Sequence, residues 1–403
     1  MLEERRGLLR TWNLCLVVGT FALTTFGTFL TRGSVLLSVH AFADSAVGPL
    51  YLCFLALVMI VGFGLVAARA PQSPDGASLE GTISRGSAFV VNNVVLVGLT
   101  LIVLLGTIFP LAMEAATGRR VSVGGPYFAH TTVVPLLLLL FLTGAGVLLP
   151  WRAGPAGALA RRMTVPVAVG SISTLALFAA GVGGPAALAA FGLSAFVVTA
   201  NGAELVTRVR AAAGASGSRP VRGAVGILTR DTRRVAGPIV HIGIALAAVA
   251  ITASSSFGHE IEVTLRRGQE TAFGQYELTY TDRSELSQPQ REVLVANVTV
   301  RRSGRPAGSL TPSLNLYGSS NEPIGTPSIH YGMVADLYAS VLALSADGSQ
   351  ATFRFYRNPG VTLLWIAGGI VVLGGGLALL RPRRRRQPPQ AREVARELEA
   401  IPA

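Results

Sequence analysis

The sequence predicts an α-helical polytopic membrane protein of about eight transmembrane helices, with a small mainly-β extracytoplasmic domain between the last two. Three observations carry this prediction. Of the 403 residues, 50% are hydrophobic and only 14% are charged, whereas an ordinary soluble domain carries ~25% charged residues. Apolar runs of about 20 residues, the length that a bilayer requires of a helix, recur along the chain. Between the last two runs, the pattern changes to period-two alternation. The net charge of +13 would suggest nucleic acid in a soluble protein, but so few charges argue against a soluble DNA-binder, a disordered chain or a secreted disulfide scaffold.

The apolar runs lie near 12–31, 48–68, 88–112, 132–150, 165–182, 184–203, 237–254 and 361–380. Only Gly183 and small neighbours separate the fifth from the sixth, so a tight helical hairpin is expected there. The opening segment Met1–Arg10 is charged and the run after it is too long for a cleaved signal core, so no signal peptide is expected. The chain thus divides into a helix bundle over 1–254 of about seven spans, a mainly-β periplasmic domain over 255–358, a final span over 359–380 and a basic cytoplasmic tail over 381–403.

Orientation follows from arginine, since all 34 basic residues are Arg. With Met1 inside, the inside segments hold 22 Arg and 9 acidic residues, and the outside segments hold 12 of each. The whole net charge therefore falls on the cytoplasmic side. Both termini are expected inside, and the Arg381–Arg386 run (RPRRRR) agrees. That run suits a stop-transfer anchor touching anionic lipid rather than a nucleic-acid contact.

The outer domain shows alternation at Tyr276–Tyr280, Val293–Val300 and Ala351–Tyr356, with turn residues Gly304, Pro306, Pro323 and Gly325 between them. This reads as a small antiparallel sheet or barrel. Neither of the two cysteines, Cys15 and Cys53, lies in it; both sit in apolar runs and read as small hydrophobes. No Cys-x-x-Cys-His occurs, so the chain is not itself a c-type cytochrome.

Ionisable groups at membrane depth are costly and mark functional candidates. Of five histidines, His241 stands clearly inside a span, one turn from its cytoplasmic end. It reads either as a hydrogen-bond partner of a neighbouring helix or as a haem iron ligand, since neutral imidazole binds iron without bringing charge into lipid. His40, in Ser34–Phe42 (SVLLSVHAF), falls on a short amphipathic segment near 33–44 expected to lie on the outer surface. It reads as an interfacial histidine or as one facing a flat apolar ligand. Arg32, Arg119 and Arg120 lie outside, against the charge trend, where they can clamp carboxylates such as haem propionates or snorkel to lipid phosphate. Asn92, Asn93, Asn201 and Glu204 read as interhelical polar contacts. His130, His259 and His330 are expected on outer loops or in the outer domain, with surface or structural roles. No zinc cluster, phosphate-binding loop or hydrolase triad is present.

Four stretches carry a family resemblance: Arg10–Phe42 (RTWNLCLVVGTFALTTFGTFLTRGSVLLSVHAF), Asn92–Leu111 with Ser122–Phe128, Gly144–Arg152, and Gly237–Gly243 (GPIVHIG). With Asp336-Leu-Tyr and Tyr356–Trp365 they make the sequence resemble the CcmF family of cytochrome c maturation haem lyases, from about residue 5 to 375. The resemblance implies a protein of the bacterial inner membrane that attaches haem to the Cys-x-x-Cys-His of apocytochrome c by adding two thiols across the haem vinyl groups. It implies haem delivery by a CcmE-type chaperone and apocytochrome presentation by CcmH/CcmI-type subunits. In the family, two outer histidines flanking a Trp-rich segment ligate the incoming haem, and His40 matches the second. Two membrane histidines hold a resident b-type haem, and His241 matches the second.

The departure is that the only tryptophans are Trp12, Trp151 and Trp365, so the Trp-rich segment and the first histidine of each pair have no counterpart. The resemblance is to the C-terminal half of the family's usual chain. Arg32-Gly33-Ser34 also replaces the family's usual Arg-Ser-Gly. An N-terminal CcmF-like half is the expected partner, the chain alone is not expected to be an active lyase, and a lost or missing N-terminal portion is the competing explanation. Readings of other classes are a polytopic haem or solute transporter, which would need interrupted helices in matched halves, and a non-catalytic scaffold of a cytochrome assembly complex.

Overall fold

The computed structural model describes residues 10–32, 47–69, 83–119, 121–150, 156–216, 232–289, 291–317 and 323–380. Their helices are α1 (Arg10–Arg32), α2 (Val47–Arg69), α3 (Arg85–Thr117), α4 (Gly125–Leu148), α5 (Ala156–Ala179), α6 (Pro185–Ser216), α7 (Thr232–Phe257) and α8 (Val361–Leu379). All eight are long and apolar enough to cross a membrane. A β-sandwich stands between α7 and α8. The protein is therefore polytopic, with its β domain between the last two helices, as the apolar runs and the alternation indicated.

Several helices extend beyond their apolar runs at one end. α4 begins at Gly125, α5 at Ala156 and α6 continues to Ser216. Hydropathy locates only the hydrocarbon crossing, whereas backbone hydrogen bonding continues into the polar interface; α5 thus includes Arg161 and Arg162, and α6 includes Arg208 and Arg210. The α5–α6 turn is short, with Gly181 and Gly184 at φ 85° and 87°, a conformation that glycine adopts without strain. The surface segment expected near 33–44 and the basic tail 381–403 lie outside the described residues.

The chain divides into two compact units, Met1–Leu142 with Leu149–Leu159, and Thr143–Leu148 with Ala160–Ala403. In the first, α1 meets α2 at Gly62, where an added Cβ would stand 2.7 Å from a methyl of Val18, and Phe21 meets Phe54 edge-on at 6.2 Å. α3 starts on Ser84, whose side chain accepts the Ser87 N–H, and stops on Gly118 in the left-handed conformation. Tyr127 of α4 lies over Gly106 and donates its hydroxyl to the Ile102 carbonyl at 3.2 Å.

In the second unit, α7 packs between α6 and α8. The α7–α8 seam uses reciprocal glycines. A Cβ on Gly243 would stand 3.0 Å from the Ala367 carbonyl oxygen, and one on Gly374 would stand 3.1 Å from that of Ala236. Helices associate in lipid through such close backbone approach, because burying apolar surface there gains little.

The domain between them has strands β1 (His259–Arg266), β2 (Glu270–Phe273), β3 (Tyr276–Gln288), β4 (Arg291–Arg302), β5 (Arg305–Leu310), β6 (Ser313–Tyr317), β7 (Ile324–Thr326), β8 (Ser328–His330), β9 (Ala335–Leu344) and β10 (Gln350–Pro359). One sheet runs β1-β10-β9-β8; the other runs β2-β3-β4-β6-β7, with β5 also on β4. All pairings are antiparallel. Alternation along β3 and β10 sends Leu278, Tyr280, Phe353 and Phe355 into the shared core. The sequence left sheet or barrel open; the strands form two sheets because β7 returns to β6 while β8 pairs with β9.

Polar closure of the β9–β10 end is local. The buried Tyr280 hydroxyl donates to the Gly348 carbonyl at 3.0 Å, and burial pushes that phenol up from its ordinary value. Asp347 accepts the backbone N–H and hydroxyl of Ser349, with the backbone N–H the largest influence holding its carboxyl down at about 2.

Phe353 is fully buried and stacks on Phe355 at 5.4 Å. Phe353→Ala is expected to destabilise the sandwich by about 3–5 kcal/mol, whereas Leu286→Ala, at a residue 56% exposed, should change it by less than about 0.5 kcal/mol. Native-state hydrogen exchange of β9 and β10 amides in the full chain measures both.

Candidate functional site

The candidate site is built on α6 and α7. His241 is the tenth residue of α7 and is half-buried. Gly243, two residues on and so about 200° around the helix, faces α8 at the glycine seam. That leaves the His241 side of α7 against α6. There the His241 Nδ1 lies 3.1 Å from Oδ1 of Asn201. Asn201 is fully buried, and its side-chain Nδ2 donates to the Val197 carbonyl at 2.9 Å. His241 Nε2 has no hydrogen-bond partner among the described residues.

The interhelical contact expected of Asn201 is thus made, and its partner is the candidate histidine itself. Glu204 behaves differently. It pairs one turn along its own helix with Arg208, whose Nη2 lies 2.6 Å from its Oε1. Asn92 and Asn93 make no interhelical side-chain hydrogen bond among the described residues.

The remaining candidates are spread out. Arg32 is the last residue of α1, and its side chain is outside the description. His40 and Arg120 also lie outside the described residues. Arg119 follows the Gly118 cap, is exposed, and donates its backbone N–H to Thr117 Oγ1 at 3.3 Å. His130, expected on a loop, sits exposed on α4, because that helix begins at Gly125. His259 is exposed at the start of β1, and His330 on β8 meets Tyr276 edge-on at 6.5 Å. Among the described residues no three His, Cys, Asp or Glu come together as a metal site. A polydentate zinc or iron centre is therefore not built from them.

What His241 offers is a single aromatic nitrogen donor with its other nitrogen engaged. That donor set suits a metal held mainly by a macrocycle, where the protein supplies one axial ligand from each side. Sequence reading found the histidine but not its partner. The available signal was depth: Asn201 lies toward the C-terminal end of one apolar run and His241 toward the N-terminal end of the next.

The fold and this site define a class: multi-span membrane proteins whose last two helices bracket an extramembrane β-sandwich and whose penultimate helix carries a histidine. Comparisons with known proteins show which particular family the chain resembles. Residues 256–359 match the CcmF C-terminal beta-sandwich family. The chain is 32% identical over 402 residues to the cytochrome c-type biogenesis protein CycK of Rhizobium meliloti, covering 98% of this chain and 58% of that protein. It is 32% identical to the cytochrome c-type biogenesis protein CcmF of Escherichia coli, over 96% of this chain and 58% of that protein. A solved structure titled Cytochrome c Heme Lyase CcmF superposes with TM-score 0.73 at 26% identity, over 94% of this chain and 56% of that one. The chain resembles the CcmF family over nearly its whole length, including the family's C-terminal β-sandwich. It spans a little over half the length of the relatives it matches.

Proposed function

We propose that this chain is the C-terminal part of a cytochrome c haem lyase of the bacterial inner membrane. It holds haem and helps form the thioether bonds between haem vinyl groups and the Cys-x-x-Cys-His thiols of apocytochrome c. In that reaction each S–H adds across a vinyl C=C, so a C–S bond forms and the proton goes to the other vinyl carbon, with no net oxidation. The observation that carries the reading is the half-buried His241 imidazole, held against buried Asn201 and with Nε2 unpartnered among the described residues, in a chain resembling CcmF over nearly its full length.

His241 would hold a resident haem b through Nε2, and that haem, when bound, would supply one-electron transfer to the incoming haem iron. The second ligand comes from an N-terminal CcmF-like half carrying the Trp-rich motif. His40 serves as one ligand of the transferred haem at the outer surface, and Arg32 pairs with a propionate of that haem. The chain's own contribution to the reaction is positioning, by fixing imidazoles, since the one side chain hydrogen-bonded to His241 among the described residues, the Asn201 amide, cannot act as a general base. Both termini lie in the cytoplasm, with the sandwich and His40 on the periplasmic side, where a CcmE-type chaperone, CcmH/CcmI-type subunits and apocytochrome c meet the complex. Lipid surrounds the helices, and nucleic acid has no part.

Co-expression with the N-terminal half tests this. His241→Ala should abolish the bis-histidine b-type spectrum of the complex, and His40→Ala should reduce holocytochrome c yield at least tenfold while leaving that spectrum intact. Retained resident haem in His241→Ala would overturn the first assignment, and an unchanged holocytochrome yield in His40→Ala would overturn the second.

A further inference from the structure

The Asn201–His241 pair carries more than a contact. The Val197 carbonyl can only accept a hydrogen bond, so the Asn201 atom 2.9 Å from it must be the NH₂ group. That fixes the amide orientation and leaves Oδ1, which also can only accept, facing His241 Nδ1 at 3.1 Å. Nδ1 must therefore carry the proton. Flipping the amide would set two acceptor oxygens against each other in a site with no water access, since Asn201 is 0% exposed.

We infer that Asn201 is a positioning residue that locks His241 in the Nδ1–H tautomer and so makes Nε2 its ligand atom. This rests on the haem-ligand reading of His241. A free imidazole favours the proton on Nε2, which would block that nitrogen for iron. The bond to Asn201 reverses the preference, aims the ring, and raises its donor strength, as outer partners of metal-bound histidines do elsewhere. Asn201 achieves this without placing a charge in the membrane.

The test has two independent parts. In the full chain, labelled with ¹⁵N-histidine and held in lipid nanodiscs without haem, the ¹⁵N spectrum should show His241 protonated on Nδ1. The signal is assigned by its loss in His241→Gln. Asn201→Leu should move the proton to Nε2, and Asn201→Asp, which keeps an acceptor oxygen, should restore the Nδ1–H form. A proton on Nε2 in the unaltered chain, or an unmoved tautomer in Asn201→Leu, overturns the proposal. In the haem-loaded complex with the N-terminal half, Asn201→Leu should raise the midpoint potential of the resident haem and Asn201→Asp should lower it. Equal potentials in both variants overturn it too. The nanodisc measurement involves no haem, so a correct tautomer together with resident haem retained in His241→Ala would reject the ligand reading alone.

A separate observation concerns the sandwich end nearest the last span. The β8–β9 turn exposes Tyr331 at 74%, Met333 at 92% and Val334 at 73%. The turn is nonetheless held in shape. Gly332 donates its N–H to buried Asp336 at 2.9 Å, its carbonyl accepts the Thr362 hydroxyl of α8 at 2.8 Å, and the Val334 carbonyl accepts the Gly360 N–H at 3.0 Å. Gly332 has no room for a side chain, since a Cβ would stand 2.2 Å from the Ala335 carbonyl oxygen. The turn is therefore rigid, largely apolar and tied to the first turn of a helix long and apolar enough to cross a membrane.

We propose that Tyr331–Val334 inserts into the interfacial layer of the bilayer crossed by α8, as a third attachment of the sandwich besides α7 and α8. A spin label at Met333→Cys, in a Cys15→Ser, Cys53→Ser background of the full chain in phosphatidylcholine nanodiscs, should be more accessible to oxygen than to a water-soluble nickel chelate. A label at Ala346→Cys, at the opposite end of β9, should show the reverse. Nickel accessibility at 333 equal to that at 346 overturns the proposal, as does shielding from both reagents, which would indicate a protein neighbour.

Discussion

The close approach of α7 to α8 is the constraint on which the rest of the second unit depends. Lipid offers no hydrophobic drive for two apolar helices to meet, so contact comes from shape. Gly243 and Gly374 supply it reciprocally, each letting the other helix's backbone come within reach of where a side chain would stand. With α8 seated on that face, the opposite face of α7 meets α6, and His241 meets Asn201. The same pair frames the sandwich, because α7 runs into β1 after Gly258 and α8 starts directly after β10 and Gly360. Site and domain thus share one scaffold.

Polar atoms within these helices follow one rule: each that leaves water must find a partner within the protein. Threonines of α1 donate to carbonyls one turn back. Asn201 spends its donor on Val197 and its acceptor on His241. Against that background, the unpartnered Nε2 of His241 among the described residues is a donor atom in reserve, and a haem iron is the partner that its chemistry and the CcmF resemblance jointly favour. Within its unit, the other described histidines, His259 and His330, belong to the sandwich and not to the helices.

Much of this was legible in the sequence. Eight apolar runs gave eight helices, since spanning a bilayer leaves few alternatives for a long uncharged run. Helix ends were not legible, because the signal read was hydropathy and the helices continue past it, as α5 does through Arg161 and Arg162. Alternation at Tyr276–Tyr280 and Ala351–Tyr356 marked β3 and β10, but the division into two sheets depends on pairings distant in sequence, such as His259 with Arg357. His241 could be read as a lone imidazole at membrane depth; its partner could not be paired with it, because the two are 40 positions apart and the sequence between them carries no local trace of the contact. His40 and Arg32 rest on the family resemblance and on the sequence reading alone.

The central claim is that His241 gives its Nε2 to a resident haem as one of two axial ligands. The most direct measurement is pulsed electron paramagnetic resonance on the ferric complex, with this chain labelled with ¹⁵N-histidine and the N-terminal half left unlabelled. The account predicts hyperfine coupling to one ¹⁵N-imidazole and one ¹⁴N-imidazole on the resident iron. Coupling to no ¹⁵N, or to two, would contradict it.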